Sequence, residues 1–432
     1  MPTSYADPLR PTAFDLLGTS LVIWKSGASW STADDACPHR LAPLSTARVE
    51  EDGTLRCRFH GWRFDADGAC VEIPNADAKT SSKLCNTEKT SAGTYPTLDV
   101  GGLLWVWPTA GDFAAAANGP QPAIDASAPP KDWIMTVSPI SYESMVENAM
   151  DPSHAPFLHE GTFAASDFTP MDRYNVAEKP CKSGFTVAHG GYSTKNVGME
   201  ATRAFSAPAY VNVTYDKTDG KRQMFDLYFT PATAFSTRVI TNIGLPTPPK
   251  WAPEWVFDAA HSFFFTSDAL WRFNDQDRYM MMGQDRNNVK FEQLAMTTSD
   301  VGVATFRNWL SNCAAPLAFE PQLNPQPWTE ASSRWHGHTK HSPQCRRTLA
   351  RLDVATMVFG RGALASALVA LALAAAGRAA NGVAPLAVAV ASYGAARWAD
   401  RIRRAFFGRE PEAWLTKVFT TKSSAVTSTR AR

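Results

Sequence analysis

The chain has 432 residues, 44% of them hydrophobic and 19% charged, which supplies apolar material for two or three cored domains and excludes global disorder. A formal net charge of +1 excludes the basic footprint of a nucleic-acid binder. Seven scattered cysteines, an odd number in a chain this long, do not make a secreted disulfide framework, and 30 Pro with 24 Phe favour many short elements in a β-rich or α+β architecture.

The first ten residues, Met1 to Arg10, have neither the charged leader nor the apolar stretch of a secretory signal, and are too short and too acidic for an organelle transit peptide. Strand and turn signals then follow in quick succession at Leu21–Trp24, Leu55–Phe59, Arg63–Gly68 and Leu103–Trp107. They predict a small all-β domain over residues 1–110. Residues 111–131, rich in Ala, Pro and Gly and without periodicity, read as a linker. Residues 132–350 have the composition of an α+β domain, in which Tyr142–His159 is the best helix candidate, broken or kinked by Pro152 and Pro156. An Ala-rich apolar region, 351–408, and a tail, 409–432, complete the chain.

Two of the cysteines sit at metal-ligand spacing from histidines. Cys37-Pro-His39 and, after 17 intervening residues, Cys57-Arg-Phe-His60-Gly-Trp62 each put a thiolate and an imidazole on one short loop. A C2H2 zinc finger takes its cysteines from one segment and its histidines from another. A Rieske [2Fe–2S] centre takes one ligand of each type from each loop, two His replacing two Cys on one iron. On that reading Cys37 and Cys57 hold one iron and His39 and His60 the other, and a structural zinc site is the bland alternative. Respiratory-chain Rieske proteins add a disulfide cysteine to each loop. Arg40-Leu41-Ala42 and Arg58-Phe59 stand there instead, the form of oxygenases and ferredoxins.

Downstream, Glu147-Asn-Ala-Met-Asp151-Pro-Ser-His154-Ala-Pro-Phe-Leu-His159 resembles the mononuclear-iron motif of Rieske oxygenases. A non-haem Fe(II) site that activates O2 needs two His and one carboxylate on one face. His154 and His159, five apart near a helix end, can reach one metal if Pro156 distorts the chain; two unrelated helix-end histidines are the alternative. The third ligand must come from elsewhere, and Arg272–Asp285 offers Asp275, Asp277 and Asp285, with Asp268 just upstream. Related oxygenases carry this carboxylate in a (Glu/Gln)-Asp motif opening a C-terminal helix, which Gln276-Asp277 matches, so the resemblance selects Asp277. An acidic helix N-terminus stabilised by the dipole would attract aspartates too. The resemblance also implies that Asp151 bridges a cluster histidine of one subunit to an iron-ligating histidine of its neighbour, and hence a homo-oligomer, expected to be a trimer. Such a carboxylate fixes the tautomer of the liganding imidazole.

Cys37–Ser45, Cys57–Phe64, Ile73-Pro-Asn, Glu147–His154 and Asn274-Asp-Gln-Asp277 together resemble the pheophorbide a oxygenase group, over most of the chain. That resemblance implies an all-β Rieske domain, an α+β catalytic domain of helix-grip type and a C-terminal apolar helical hairpin. It further implies a chlorophyll-derived tetrapyrrole substrate, O2, electrons from reduced ferredoxin, and a chloroplast envelope or thylakoid membrane as location. Two departures stand out. Members often carry Cys-x-x-Cys after a His-Thr-Lys-like segment; here the run is His338-Thr-Lys-His341-Ser342-Pro-Gln-Cys345, so a local dithiol switch cannot form. No aromatic-Pro segment precedes the first strand, so an N-terminally incomplete chain is expected.

Gly362 to Gly377 and Ala379 to Ala396 carry no charge. At ~1.5 Å per residue they span ~24 and ~27 Å, slightly short of a ~30 Å hydrocarbon core. Arg378 would occupy the turn, with Arg361, Arg397, Arg401, Arg403 and Arg404 at the outer ends, where their stems can snorkel. This predicts a membrane hairpin with both ends on one basic side; an Ala-rich soluble hairpin is the alternative, because Asn381 and Pro385 interrupt the second segment. His189, His261 and His336 lack ligand-spaced partners and read as ordinary histidines, and Cys70, Cys85, Cys181 and Cys313 as small buried side chains. Trp105 and Trp107 read as core. The competing functions are a membrane electron carrier using only the Rieske domain, and an oxygenase of another apolar substrate.

Overall fold

The computed structural model describes residues 1–122, 124, 132–159, 162, 167–242, 249, 251–287, 294–314 and 333–408. Parts of the expected linker and the whole 409–432 tail lie outside the described residues, as does the side chain of Asp268.

Short strands joined by tight turns build the N-terminal part. β1 (Thr12–Leu16), β2 (Thr19–Ser26) and β3 (Ser29–Asp34) pair consecutively, with β8 (Thr94–Tyr95) at the edge. The β2–β3 hairpin turns at Gly27, whose φ of 61° suits a residue without Cβ. β4 (Arg48–Val49), β5 (Leu55–Arg56), β6 (Arg63–Phe64) and β7 (Cys70–Glu72) form a second sheet, and β9 (Thr97–Val100) pairs with β10 (Leu103–Val106). The strands expected over Leu55–Phe59 and Arg63–Gly68 are only two residues long, because the chain leaves the ladder at Cys57 and again at Asp65 to turn. Val22, Trp24, Leu44, Leu55, Phe64 and Ile73 bury together with Cys37 and Cys57; each large apolar side chain so buried contributes roughly 2 kcal/mol. Helix α1 (Ala78–Cys85), capped by Asp77 accepting from the Thr80 N–H, carries Cys85 to Cys70, and the two form a disulfide. That corrects the reading of both as isolated small side chains. Cys181 is exposed and Cys313 half-buried, so neither of these is core.

The second sheet system is a seven-stranded antiparallel sheet. Its strands are β11 (Ile134–Ser138), β12 (Tyr174–Cys181), β13 (Gly184–His189), β14 (Glu200–Ser206), β15 (Tyr210–Asp216), β16 (Arg222–Thr233) and β17 (Ser236–Asn242), in the order β11-β17-β16-β15-β14-β13-β12. Alternate residues of β14 (Ala201, Arg203, Phe205) and β15 (Val211, Val213) are buried, the period of two that a half-covered sheet imposes. Helices α3 (Tyr142–Met150) and α7 (Val301–Asn312) cover that face, with Phe205 edge-on to Phe306 and Trp309. The N-terminal β-rich part shares a core with this sheet. Tyr5, Phe14, Ile23, Leu103 and Leu104 pack with Trp133, Met135, Tyr228 and Ile240, and Trp105 meets Tyr228 edge-on.

A second compact unit holds α5 (Glu254–Thr266) and a C-terminal helical pair, α8 (Pro343–Ala375) and α9 (Val383–Ala405). Ser342 caps α8 through the Cys345 N–H, and Pro343 occupies the first turn, where its missing N–H costs nothing. The chain reverses at Gly377 and Arg378, and Ala379–Gly382 form a short 3-10 turn. The second helix therefore starts at Val383. Asn381 precedes it and Pro385 falls in its first turn, so the two residues that seemed to interrupt it do not. Both helices are long and apolar enough to cross a membrane by length and composition, and Leu364, Leu371, Val383, Val390 and Trp398 are each more than 60% exposed.

Asp258 of α5 is fully buried and accepts from Arg347 at 2.6 and 2.9 Å and from Arg351 at 2.6 Å. Burial alone would raise its pKa; the hydrogen bonds and charges of Arg347 and Arg351 outweigh it and hold the carboxyl below its ordinary value. A folded-state pKa below the unfolded value (~3.9) means stability that is present above that value and lost as pH falls through the folded one. Asp258→Ala is expected to cost ~1 kcal/mol at pH 7, because Arg347 and Arg351 are 42% and 45% exposed and can turn to water once the carboxylate is gone. Thermal unfolding of the purified chain checks this; a gap that fails to shrink below about pH 4 contradicts the carboxylate's role.

Candidate metal centres

The two Cys–His loops are near copies of one backbone design. In the first, the Cys37 N–H donates to Ala42 O at 2.8 Å and Cys37 O accepts from the Leu41 N–H at 2.7 Å. In the second, the Cys57 N–H donates to Trp62 O at 2.9 Å and Cys57 O accepts from the Gly61 N–H at 3.0 Å. The fourth residue after each cysteine, Leu41 or Gly61, has positive φ, 59° and 75°. Each loop thus folds back on its own cysteine and carries the histidine on its outer limb.

Both cysteines are buried, while His39 is exposed and His60 half-buried. The imidazoles lie edge to face with centroids 4.6 Å apart, and Trp62 stacks flat on His39 at 4.7 Å. Exposed Leu41 and Phe59 flank them. Burial pushes the Cys37 thiol up to about 11, and Cys57 adds to the effect. Such a thiol ionises readily only against a metal's positive charge. Burial, His60 and Arg40 lower the His39 pKa, favouring the neutral ligand form. The four donors do not gather into a single-ion set. That spread fits two irons separated by bridging sulfides better than one tetrahedral zinc.

The second centre grows from α3. Ser141 caps it, and Asp285 accepts from the Ser141 N–H at 2.5 Å, from Ser141 Oγ at 2.8 Å and from Ser144 Oγ. The helix ends at Asp151 because a residue before proline is pushed out of helical conformation. Pro156, by contrast, does not kink a continuing helix: it sits in the first turn of a new one, α4 (Ala155–Leu158). His154 precedes α4 and His159 follows it.

Helix α6 (Asp268–Asn287) supplies the carboxylates. Gln276-Asp277 lies midway along it, not at its opening, so the N-terminal dipole is no reason for Asp277. The three described aspartates go to three different partners. Asp275 is buried against Arg334 at 3.3 Å, Asp285 holds the start of α3, and Asp277 lies 3.5 Å from His154 Nε2 and accepts from Asn148 Nδ2 at 3.3 Å. His159 Nδ1 is 3.4 Å from Gln276 Oε1, which fixes the tautomer with its lone pair on Nε2. His154 and Asp277 thus bring an imidazole and a carboxylate together within one unit, two of the donor types of a two-His, one-carboxylate Fe(II) site.

His154 is the best buffered of these groups. Asp151 Oδ2 is 3.4 Å from its Nδ1. Burial would lower its pKa, but Asp151 and Asp277 together raise it. Beneath them Arg203, buried on β14, donates to His189 Nε2 at 3.1 Å, to Tyr215 OH at 2.8 Å and to Ala149 O. Burial and then Arg203 depress His189 to about 3, so it stays a neutral acceptor, the ordinary core role read from sequence. Arg203 itself escaped the sequence reading, because a charge at alternate strand positions signals solvent.

Residues 1–114 match the family model described as Rieske [2Fe-2S] domain, and residues 140–315 that of the vanillate O-demethylase oxygenase C-terminal domain. Pheophorbide a oxygenase of Oryza sativa subsp. japonica is 36% identical over 216 residues, 47% of this chain and 39% of that protein. Its Arabidopsis thaliana counterpart is 27% identical over 335 residues, 70% of this chain and 61% of that protein. This chain belongs to the Rieske non-haem iron oxygenases of the pheophorbide a oxygenase group. It spans less than two thirds of either of those two proteins. The oxygenase is also 29% identical to flavonoid 8-hydroxylase 2 of Ocimum basilicum over 93% of its own length and 82% of that protein's. Its fold is that of dicamba monooxygenase, with a TM-score of 0.54 at 19% identity over 72% of this chain and 97% of that one. It is an oxidoreductase, and Rieske oxygenases of this kind use a [2Fe–2S] cluster and a mononuclear iron, with O2 and electrons from ferredoxin-type donors.

A Cβ at position 61 would come 3.1 Å from Pro74 Cγ, and φ is positive there. Gly61→Ala is expected to cost ~1–2 kcal/mol of strain and to lower cluster content per chain, read from visible absorbance and acid-labile sulfide. Full cluster content with unchanged unfolding would contradict the reading of this loop.

Proposed function

We propose that the oxygenase inserts oxygen into a chlorophyll-derived tetrapyrrole of the pheophorbide a or chlorophyllide a type, drawing electrons from reduced ferredoxin. The observation that carries this is His154 with a carboxylate at each ring nitrogen, Asp151 and Asp277, which a bare electron carrier would not need. In this reading Cys37, His39, Cys57 and His60 hold the cluster over residues 1–110, and His154, His159 and Asp277 hold the iron over residues 132–350, with residues 111–131 as linker. The iron, when bound, supplies O2 activation with electrons from the cluster. Asp151 accepts the Nδ1 proton of His154 and keeps Nε2 turned to the metal; Gln276 does the same for His159. Exposed His39 and half-buried His60 offer the electron-transfer edge to a donor or a neighbouring subunit, and Asp151 would bridge to that neighbour in a trimer. The apolar pair over 351–408 would anchor the enzyme to a chloroplast membrane, where amphipathic pigments partition. A flavonoid is the second reading, favoured by the alignment of a flavonoid 8-hydroxylase along nearly the whole chain.

The reconstituted enzyme, given reduced ferredoxin and 18O2 with pheophorbide a, chlorophyllide a or a flavone, is expected to label a tetrapyrrole by mass spectrometry. Label in the flavone alone selects the second reading, and label in none sinks both. His154→Ala is expected to fall from about three irons per chain to about two, keeping its cluster absorbance and losing O2 uptake; equal turnover would refute the iron site. Asp151→Asn should cut turnover ~10–100-fold, as loss of a carboxylate behind a metal-bound histidine does.

A further inference from the structure

A second set of metal-ligating side chains shares no residue with either candidate iron centre. His261 projects from α5, His338 from a single π-helical turn at Trp335–Thr339, and Cys345 from the first turn of α8. One donor atom of each lies within 4.8 Å of the others. His338 and Cys345 are buried, as are Ser342 and Ser262 beside them. None of these residues belongs to the cluster loops or the α3–α6 site, and the sequence reading took His261 for an ordinary histidine. His338 has no separate role in the oxygenase chemistry.

The geometry is specific. His261 Nε2 and His338 Nε2 face each other at 3.1 Å, and Ser342 Oγ lies 3.1 Å from the same His261 nitrogen. Two imidazoles can meet this way by sharing one proton, or by sharing a metal. Two imidazole nitrogens on a tetrahedral zinc at ~2.0–2.1 Å stand ~3.3 Å apart, close to what is seen. Phe265 stacks on His338 at 3.6 Å and locks that ring in place, while Ser262 Oγ approaches Cys345 Sγ at 3.8 Å. The π turn that aims His338 inward is an irregularity more common at binding sites than in plain helices.

We propose that His261, His338 and Cys345 bind a structural zinc ion, with Ser342 Oγ or a water completing the tetrahedron. Thiolate and imidazole donors in a closed, buried site select zinc over the oxygen-preferring cations. The ion ties α5 to the root of the apolar hairpin at the point where Asp258 already grips Arg347 and Arg351.

Zinc and iron are measured by mass spectrometry on the full-length holoenzyme produced with both metals, in wild type, Cys345→Ser, His261→Ala and His154→Ala. About one zinc per chain is expected in wild type and in His154→Ala, and almost none in Cys345→Ser or His261→Ala, with cluster absorbance unchanged in all four. Cobalt is offered to the zinc-stripped wild type as a second probe. A thiolate-to-cobalt charge-transfer band there decides the matter even if the variants do not fold. Wild type without zinc and without a cobalt band, or zinc retained in Cys345→Ser, overturns the proposal. Because His154→Ala keeps the zinc while losing the iron, failure here and failure of the oxygenase reading give different results.

Discussion

One imidazole faces a carboxylate at each of its ring nitrogens: His154 has Asp151 at Nδ1 and Asp277 at Nε2. Two carboxylates beside one buried ring are an unfavourable arrangement without a cation, since every charge removed from water must be matched. Much of the surrounding structure keeps that arrangement in place. Pro152 ends α3 so that Asp151 can turn back towards His154, and the Ser153 N–H fixes it by donating to Asp151 Oδ1 at 2.7 Å. Asn148, one turn earlier, holds Asp277. Glu147, also of the motif, is directed away from the site to Arg307 of α7 at 2.7 Å. Its role is to pin the helix. The motif is therefore partly chemistry and partly scaffold, and Asp285 serves the scaffold by clamping the Ser141 cap.

The cluster loops solve a different problem. A thiolate needs shielding from water, whereas an electron-transfer edge needs access. The same loop meets both demands by placing its cysteine in the apolar core with Trp24 and Phe64 and its histidine two or three residues further out. The arginines and acids of the neighbouring sheet brace this platform. Arg56 joins Glu50 and Glu72, and Arg63 joins Glu72 and Asp52, so the strands that present the second loop are tied by charge as well as by two-residue ladders. Ladders that short hold little register by themselves.

Legibility from the sequence followed the range of each signal. The Rieske domain was readable because its two Cys–His loops are local and closely spaced. The helix break at Pro152 was readable for the same reason, since proline acts on the residue before it. The choice among Asp275, Asp277 and Asp285 was not settled by pattern: all three lie on one helix, and only tertiary partners distinguish them. Arg334, which engages Asp275, is 59 residues away. The helical position of Asp277 was misjudged because it was carried over from a resemblance in which the motif opens a helix, whereas here the helix already starts at Asp268. Arg203 was invisible for a deeper reason. Its charge is compatible with burial only because His189, Tyr215 and Ala149 O satisfy the guanidinium, and none of those pairings has a sequence signature. Cys70–Cys85 was missed because α1 buries no residue and two cysteines fifteen positions apart carry no spacing signature of their own.

The apolar pair shows how a hairpin with little side-chain specificity can still be fixed to a defined place. Ala-rich helices pack closely but supply few distinctive knobs, and in lipid there is no hydrophobic force to hold one helix on another. Polar and close-packed contacts at the root must then do the positioning. Asp258 provides them to α8 through two arginines one helical turn apart, Arg347 and Arg351, a spacing that puts both guanidiniums on one face. At the same level Phe406 buries against Cys345 and Leu349, and Thr339 Oγ1 donates to Phe406 O. The polar grip lies wholly at the root, and the exposed Leu, Val and Trp side chains begin beyond it. The pair is thus held at one end by polar contacts and left apolar and exposed along its length.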